Sequence, residues 1–157
     1  MEIIGRPTIR PAMFYAVKSS VLAIFCAPFI STVYPEYFTF KVPVLLFLSA
    51  WTVFILSTGL IVVASVELGK SLRVGLPAGK TRLKTSGLFS YSRNPIYTAF
   101  YPCCLAVGIL APHPIVWGLS VFALFVHHRI ILGEEIFLKK RFGRSWVKYC
   151  SKVPRYL

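Results

Sequence analysis

Two of the five acids in this 157-residue chain, Glu134 and Glu135, stand side by side. On a helix, Glu134, Leu138, Phe142 and Trp146 form an i, i+4 row that is otherwise apolar, so Glu134 is expected to point inward. An acid in such a row beside a membrane needs a partner, and a cationic ligand group supplies one. Glu135 has Lys139 four residues on, the spacing of a weak surface ion pair, and is either a solvated acid or a group able to accept a proton. A second constellation is Arg93-Asn94-Pro95-Ile96-Tyr97. Asn94 can cap a helix, Pro95 suits its first position, and the free N–H groups of such a start can hold a carboxylate or other anion. A plain capped helix with a membrane-anchoring Arg explains the same residues. Arg129, at the end of an apolar run, is placed to take an anionic substrate group bidentately. His127 and His128 resemble metal ligands, but neighbours on a helix point about 100° apart and no carboxylate follows at i+3 or i+4. They read as an interfacial basic cluster, and no metal is expected.

The elements that must position these groups follow from one long uncharged run, the 35 residues from Asn94 to His128, broken by Pro112-His113-Pro114. As a single helix it would extend about 52 Å, well past a hydrocarbon layer of about 30 Å. Folded at the double proline it becomes a helical hairpin, roughly Pro95 to Ala111 and Ile115 to Leu132, whose charged ends return to one membrane face. Arg93 to Tyr97 and Arg129 to Glu135 are therefore expected to meet there.

Hydrophobic residues make up 56% of the chain and the mean hydropathy is +0.68, more apolar surface than a soluble domain of this size can bury. This excludes an ordinary soluble enzyme and points to an integral membrane protein. The sequence predicts an all-α fold with about four transmembrane helices and a C-terminal amphipathic helix. Residues 1–157 are expected to form a single membrane domain, with 1–66 holding two N-terminal helices and 67–157 the loop, hairpin and tail. The first helix is expected over Pro11 to Pro35, bent at Pro28, with Lys18 snorkelling near its end, and the second over Val42 to Val66. Between them Tyr34, Tyr37, Phe38 and Phe40 suit an interfacial belt. Glu67 to Arg93, rich in Gly and basic residues, is expected to be a polar loop on the membrane face.

Lys and Arg number 18 against 5 acids, a net charge of +13, which suits anionic headgroups or nucleic acid; the apolar spans favour the membrane and no nucleic acid is expected. Basic residues concentrate in the N-terminal arm, the central loop and the tail, so the positive-inside rule places both termini and the site at the cytoplasm. The four cysteines lack Cys-x-x-Cys spacing and read as small buried hydrophobes. Met1 to Pro11 lacks the pattern of a cleaved signal peptide. No Gly-x-Gly-x-x-Gly or Walker pattern occurs, which argues against a soluble nucleotide fold.

The order Leu83-Lys84-Thr85-Ser86-Gly87-Leu88-Phe89, Arg93-Asn94-Pro95-Ile96-Tyr97, Glu134-Glu135, Phe142-Gly143, Tyr149 and Val153-Pro154-Arg155 resembles the isoprenylcysteine carboxyl methyltransferase family, with the related phospholipid N-methyltransferases. The resemblance spans Thr81 to the C-terminus. It implies a membrane enzyme that transfers a methyl group from S-adenosyl-L-methionine to a lipophilic acceptor. By that resemblance Thr81, Arg82, Leu83 and Lys84 line the cofactor, Phe89 contacts it, Asn94, Pro95 and Tyr97 belong to the family's Arg-His-Pro-x-Tyr motif, and Glu134 associates with the cofactor. Asn94 stands where the family usually has His. Arg129 and Glu135 complete the expected site as catalytic residues. The preferred reaction is carboxyl O-methylation of an isoprenylcysteine-like substrate. Phospholipid or small-amine N-methylation is the alternative, and a basic membrane adaptor binding anionic lipid is the non-enzymatic one.

Overall fold

A computed structural model describes residues 11–38, 41–69 and 83–157. The described elements are helices α1 (Pro11–Val33), α2 (Val44–Leu68), α3 (Pro95–Leu110), α4 (Pro114–Phe142) and α5 (Arg144–Cys150), with short 3-10 turns at Pro35–Tyr37 and Gly87–Ser90. There is no strand among the described residues, so the all-α expectation holds. Three helices, α1, α2 and α4, are long and apolar enough to cross a membrane. The 16-residue α3 is apolar but, at about 24 Å, shorter than a hydrocarbon layer.

The hairpin forms with its turn at Ala111 to His113. There the His113 Nδ1 accepts the Ile115 N–H at 3.2 Å, and Pro114 occupies the first turn of α4. Its α3 is the most enclosed of the helices, with Ala99, Cys103, Ala106 and Val107 all nearly inaccessible. Small buried residues of α2 (Ala50, Ser57, Ala64) face the same core and let neighbouring backbones approach closely. Val17 and Ile24 of α1 and Ala123 and Val126 of α4 complete it. The hydroxyl of Ser31 donates to the Leu110 carbonyl at 2.9 Å, tying α1 to the far end of α3. Leucines and valines such as Leu22, Leu45 and Val66 remain exposed, as a lipid-facing surface requires.

Three expectations need correction. The fourth helix does not stop near Leu132 but continues unbroken to Phe142, because a single interior glycine, Gly133, costs only about 1 kcal/mol and good helix formers flank it. Glu134 and Glu135 thus lie inside a 29-residue helix. The break falls instead at Gly143, whose φ of +50° is favourable only for glycine. The i, i+4 row from Glu134 to Trp146 therefore crosses two helices, and Leu138 and Phe142 still pack with Trp146. Finally, Cys26 is exposed rather than buried, while Cys103 and Cys104 are buried as expected.

Candidate active site

Pro95, buried at the first position of α3, follows Asn94 at the cap position. The side chain of Asn94 does not cap: its Nδ2 donates to the Arg155 carbonyl at 3.1 Å. Ser92 takes over locally, its Oγ accepting the Asn94 N–H at 3.1 Å and pairing with the Thr98 hydroxyl at 3.0 Å. The Arg93 N–H donates to the Pro154 carbonyl at 2.9 Å. The entry to α3 and the C-terminal segment are thus joined through main-chain atoms.

Glu135 is the centre of the charged network. Its carboxylate meets Arg93 Nη2 at 3.1 Å and Arg155 Nη2 at 2.7 Å, with Arg155 Nε also donating at 3.1 Å. The expected Lys139 pairing is not formed, because two guanidinium groups supply more donors at better geometry than one flexible ammonium. The hydrogen bond to Glu135 holds the Arg155 guanidinium above its ordinary pKa. Arg93 also lies 5.7 Å from the Trp146 ring centroid, a cation–π contact. Trp146, Tyr149 and Val153 form a small core with Leu83, Leu138 and Phe142. From it the Tyr149 hydroxyl donates to the Phe89 carbonyl at 2.5 Å. Burial pushes the Tyr149 phenol up to about 12, with Arg93 pulling the other way.

Glu134 points elsewhere. It is half-buried, lies within electrostatic reach of Lys18 on α1 and of Tyr97 on α3, and has no ion pair or hydrogen bond among the described residues. The Tyr97 ring lies 5.4 Å from that of His127, which is also 5.0 Å from Phe100. The His127 side chain is buried, with the Ala123 carbonyl one turn back within reach of its ring. His128 Nδ1 pairs with the Tyr156 hydroxyl at 2.7 Å, and Tyr101 donates to the same hydroxyl at 2.8 Å.

The two ends of the hairpin therefore meet, with Tyr97 and Glu134 on the same side. Thr81 and Arg82 lie outside the described residues. Leu83 packs in the Trp146 cluster, Lys84 is half-buried, and Phe89 is buried with its carbonyl bound to Tyr149. Arg129 is exposed on α4 and is not brought into this cluster, whereas His127 and His128, set aside as an interfacial pair, turn inward. One helical turn contains both orientations, which residue type alone does not distinguish. Sequence reasoning also missed Glu67, whose carboxylate accepts the Leu88 N–H at 2.9 Å and fills the space beside Gly87. The signal was present: an acid closing an apolar helix, ahead of a glycine-bearing motif.

A sequence model described as phospholipid methyltransferase matches residues 44–145 of the chain. Protein-S-isoprenylcysteine O-methyltransferase B of Arabidopsis thaliana is 30% identical over 76 residues, covering 46% of this chain and 38% of that protein. The alignment thus spans well under half the relative's length. No solved structure matches. The matched region contains α2, the hairpin, both glutamates and the start of α5, and the chain belongs to the phospholipid methyltransferase family.

Proposed function

We propose that this chain transfers a methyl group from S-adenosyl-L-methionine to a lipophilic acceptor at the cytoplasmic face of a membrane. The observation that carries this reading is Glu134, a half-buried carboxylate without an ion pair among the described residues, within electrostatic reach of Lys18 and Tyr97. Such a group suits an ammonium, as the amino-acid end of the cofactor has. The N–H groups of Ile96 and Tyr97 precede the first i to i−4 bond of α3, made by Thr98 to Asn94, and suit a carboxylate. Lys84 and Phe89, with Thr81, Arg82 and Leu83, would border the remainder.

The bound cofactor supplies an electrophilic sulfonium methyl group, and the chain's part is to orient the acceptor and exclude water. Glu135 is better read as a positioning residue than as a base, because both its oxygens accept from guanidinium groups. An acceptor that is already an anion needs no base, which favours O-methylation of a carboxylate such as that of an isoprenylcysteine-like substrate. Arg129, exposed on α4, could meet an acceptor arriving from the side. N-methylation of a phospholipid or small amine is the second reading. It is favoured by the buried His127, whose ring lies against Tyr97 and offers a place for the proton that an amine must lose.

Titration of S-adenosyl-L-methionine into the protein in nanodiscs tests the central assignment. Glu134→Gln is expected to weaken binding at least tenfold, on the order of 1.4 kcal/mol; unchanged affinity would remove Glu134 from the site. No binding by the wild type would favour an adaptor. Labelled methyl incorporation into lipid extract or into prenylcysteine analogues separates the two acceptors, with His127→Phe expected to abolish only N-methylation.

A further inference from the structure

We infer that the recess between the 85–90 segment and α5 is a binding site for the phosphate of an anionic phospholipid that is not the methyl acceptor, next to the Leu83, Lys84 and Phe89 border proposed for the cofactor. The recess is an open surface depression of about 420 Å³, lined by Thr85, Ser90, Ser145, Lys148, Tyr149, Lys152 and Val153. Lys148 and Lys152 have no carboxylate within 4.0 Å among the described residues. The hydroxyls of Thr85 and Ser145 have no hydrogen-bond partner there either, and Ser90 gives its proton to the Gly87 carbonyl. Four uncommitted donors, two of them cationic, thus converge from two segments distant in sequence. Glu67, the acid at the end of α2 that reaches this turn, is committed to the Leu88 N–H. This chemistry suits an oxyanion and rejects a cation.

Depth favours a lipid as its source. A 29-residue α4 is about 43 Å long, so from the far hydrocarbon boundary it reaches about 13 Å beyond the near one, through the headgroup zone. The small core beneath the recess packs Trp146, Tyr149 and Val153 against Leu138 and Phe142 of that projecting stretch. The lysines therefore sit where lipid phosphates lie. Tyr149 and Val153 form the floor, leaving the ammonium groups on the exposed rim.

The test is lipid titration of the delipidated full chain in detergent, read by native mass spectrometry. The probes are dioctanoyl phosphatidylglycerol, dioctanoyl phosphatidylcholine and inorganic phosphate. Phosphatidylglycerol is expected to bind in preference to phosphatidylcholine, and Lys148→Gln/Lys152→Gln to weaken it roughly 30-fold, given about fivefold per surface lysine. Lys139→Gln/Lys140→Gln removes equal charge from α4 and is expected to change affinity less than threefold. Equal loss in both double variants indicates a diffuse field and overturns the site. Equal binding of the two lipids overturns it also, and displacement by equimolar inorganic phosphate would identify a free-phosphate site instead. Should the lysine variant not melt cooperatively, Thr85→Val/Ser145→Ala replaces it, with an expected loss of about fivefold and the same refuting outcome.

Discussion

Replacing Glu135 by Gln should release the C-terminal segment from the start of α3. The carboxylate side chain is 14% exposed and serves Arg93, 12% exposed, and Arg155, 36% exposed. Removing one partner of a fully buried pair costs about 3–5 kcal/mol. Here Arg155 is partly solvated and Arg93 keeps its contact with Trp146, so the cost should be nearer about 2 kcal/mol. The Arg93 amide reports the event directly, because it donates to the Pro154 carbonyl. If that bond opens with the clasp, about 2 kcal/mol corresponds to roughly 30-fold faster amide exchange at Arg93. Hydrogen–deuterium exchange in nanodiscs, resolved to the peptides containing Arg93 and Val153 to Tyr156, makes the measurement. Arg155→Gln should cost less, about 1 kcal/mol, and the double variant should cost less than the sum of the singles. Wild-type exchange at Arg93 in Glu135→Gln, or strict additivity, would show that the remaining contacts, Arg93 N–H to Pro154, Asn94 to Arg155 and Tyr156 to His128 and Tyr101, hold the segment without the clasp.

Three further outcomes are expected. Gly87→Ala forces a side chain onto a residue with φ +67° and into the Glu67 carboxylate, so it should destabilise by at least about 1–3 kcal/mol, checked by thermal unfolding. Tyr149 binds its proton more tightly folded than unfolded, so its contribution is complete below about pH 10 and lost as pH rises towards about 12. Melting at pH 9 and 11 should show that loss, and Tyr149→Phe should flatten it while removing a hydrogen bond of about 1 kcal/mol. Lys18→Met removes a positive charge near Glu134 and should tighten S-adenosyl-L-methionine binding about three- to tenfold in the same titration, whereas weaker binding would mean that Lys18 holds an anion.

The hairpin was legible because Pro112 and Pro114 interrupt an apolar run too long for one crossing, and the meeting of its ends follows from geometry alone. The inward side of Glu134 was legible from its apolar row, though the far end of that row, Trp146, lies beyond the break at Gly143 in a separate helix. The partners of Glu135 were not, because Arg155 is 20 residues away and its approach depends on the turn at Gly143. Local spacing pointed to Lys139, and a tertiary contact won. The opposite fates of Arg129 and the two preceding histidines depend on the rotation of α4 against α1 and α3, which an almost uniformly apolar helix leaves unmarked in its sequence. The docking of Tyr156 on His128 and Tyr101 likewise has no local signature.

Because α4 is one unbroken rod from Pro114 to Phe142, the carboxylates ride on the same rigid body that is anchored in the acyl chains. A thicker bilayer would draw Glu134 and Glu135 down towards oil, and a thinner one would lift them into water, at fractions of a kcal/mol per Å of mismatch. If the proposed methyl transfer is its activity, turnover in vesicles of graded chain length should therefore pass through an optimum.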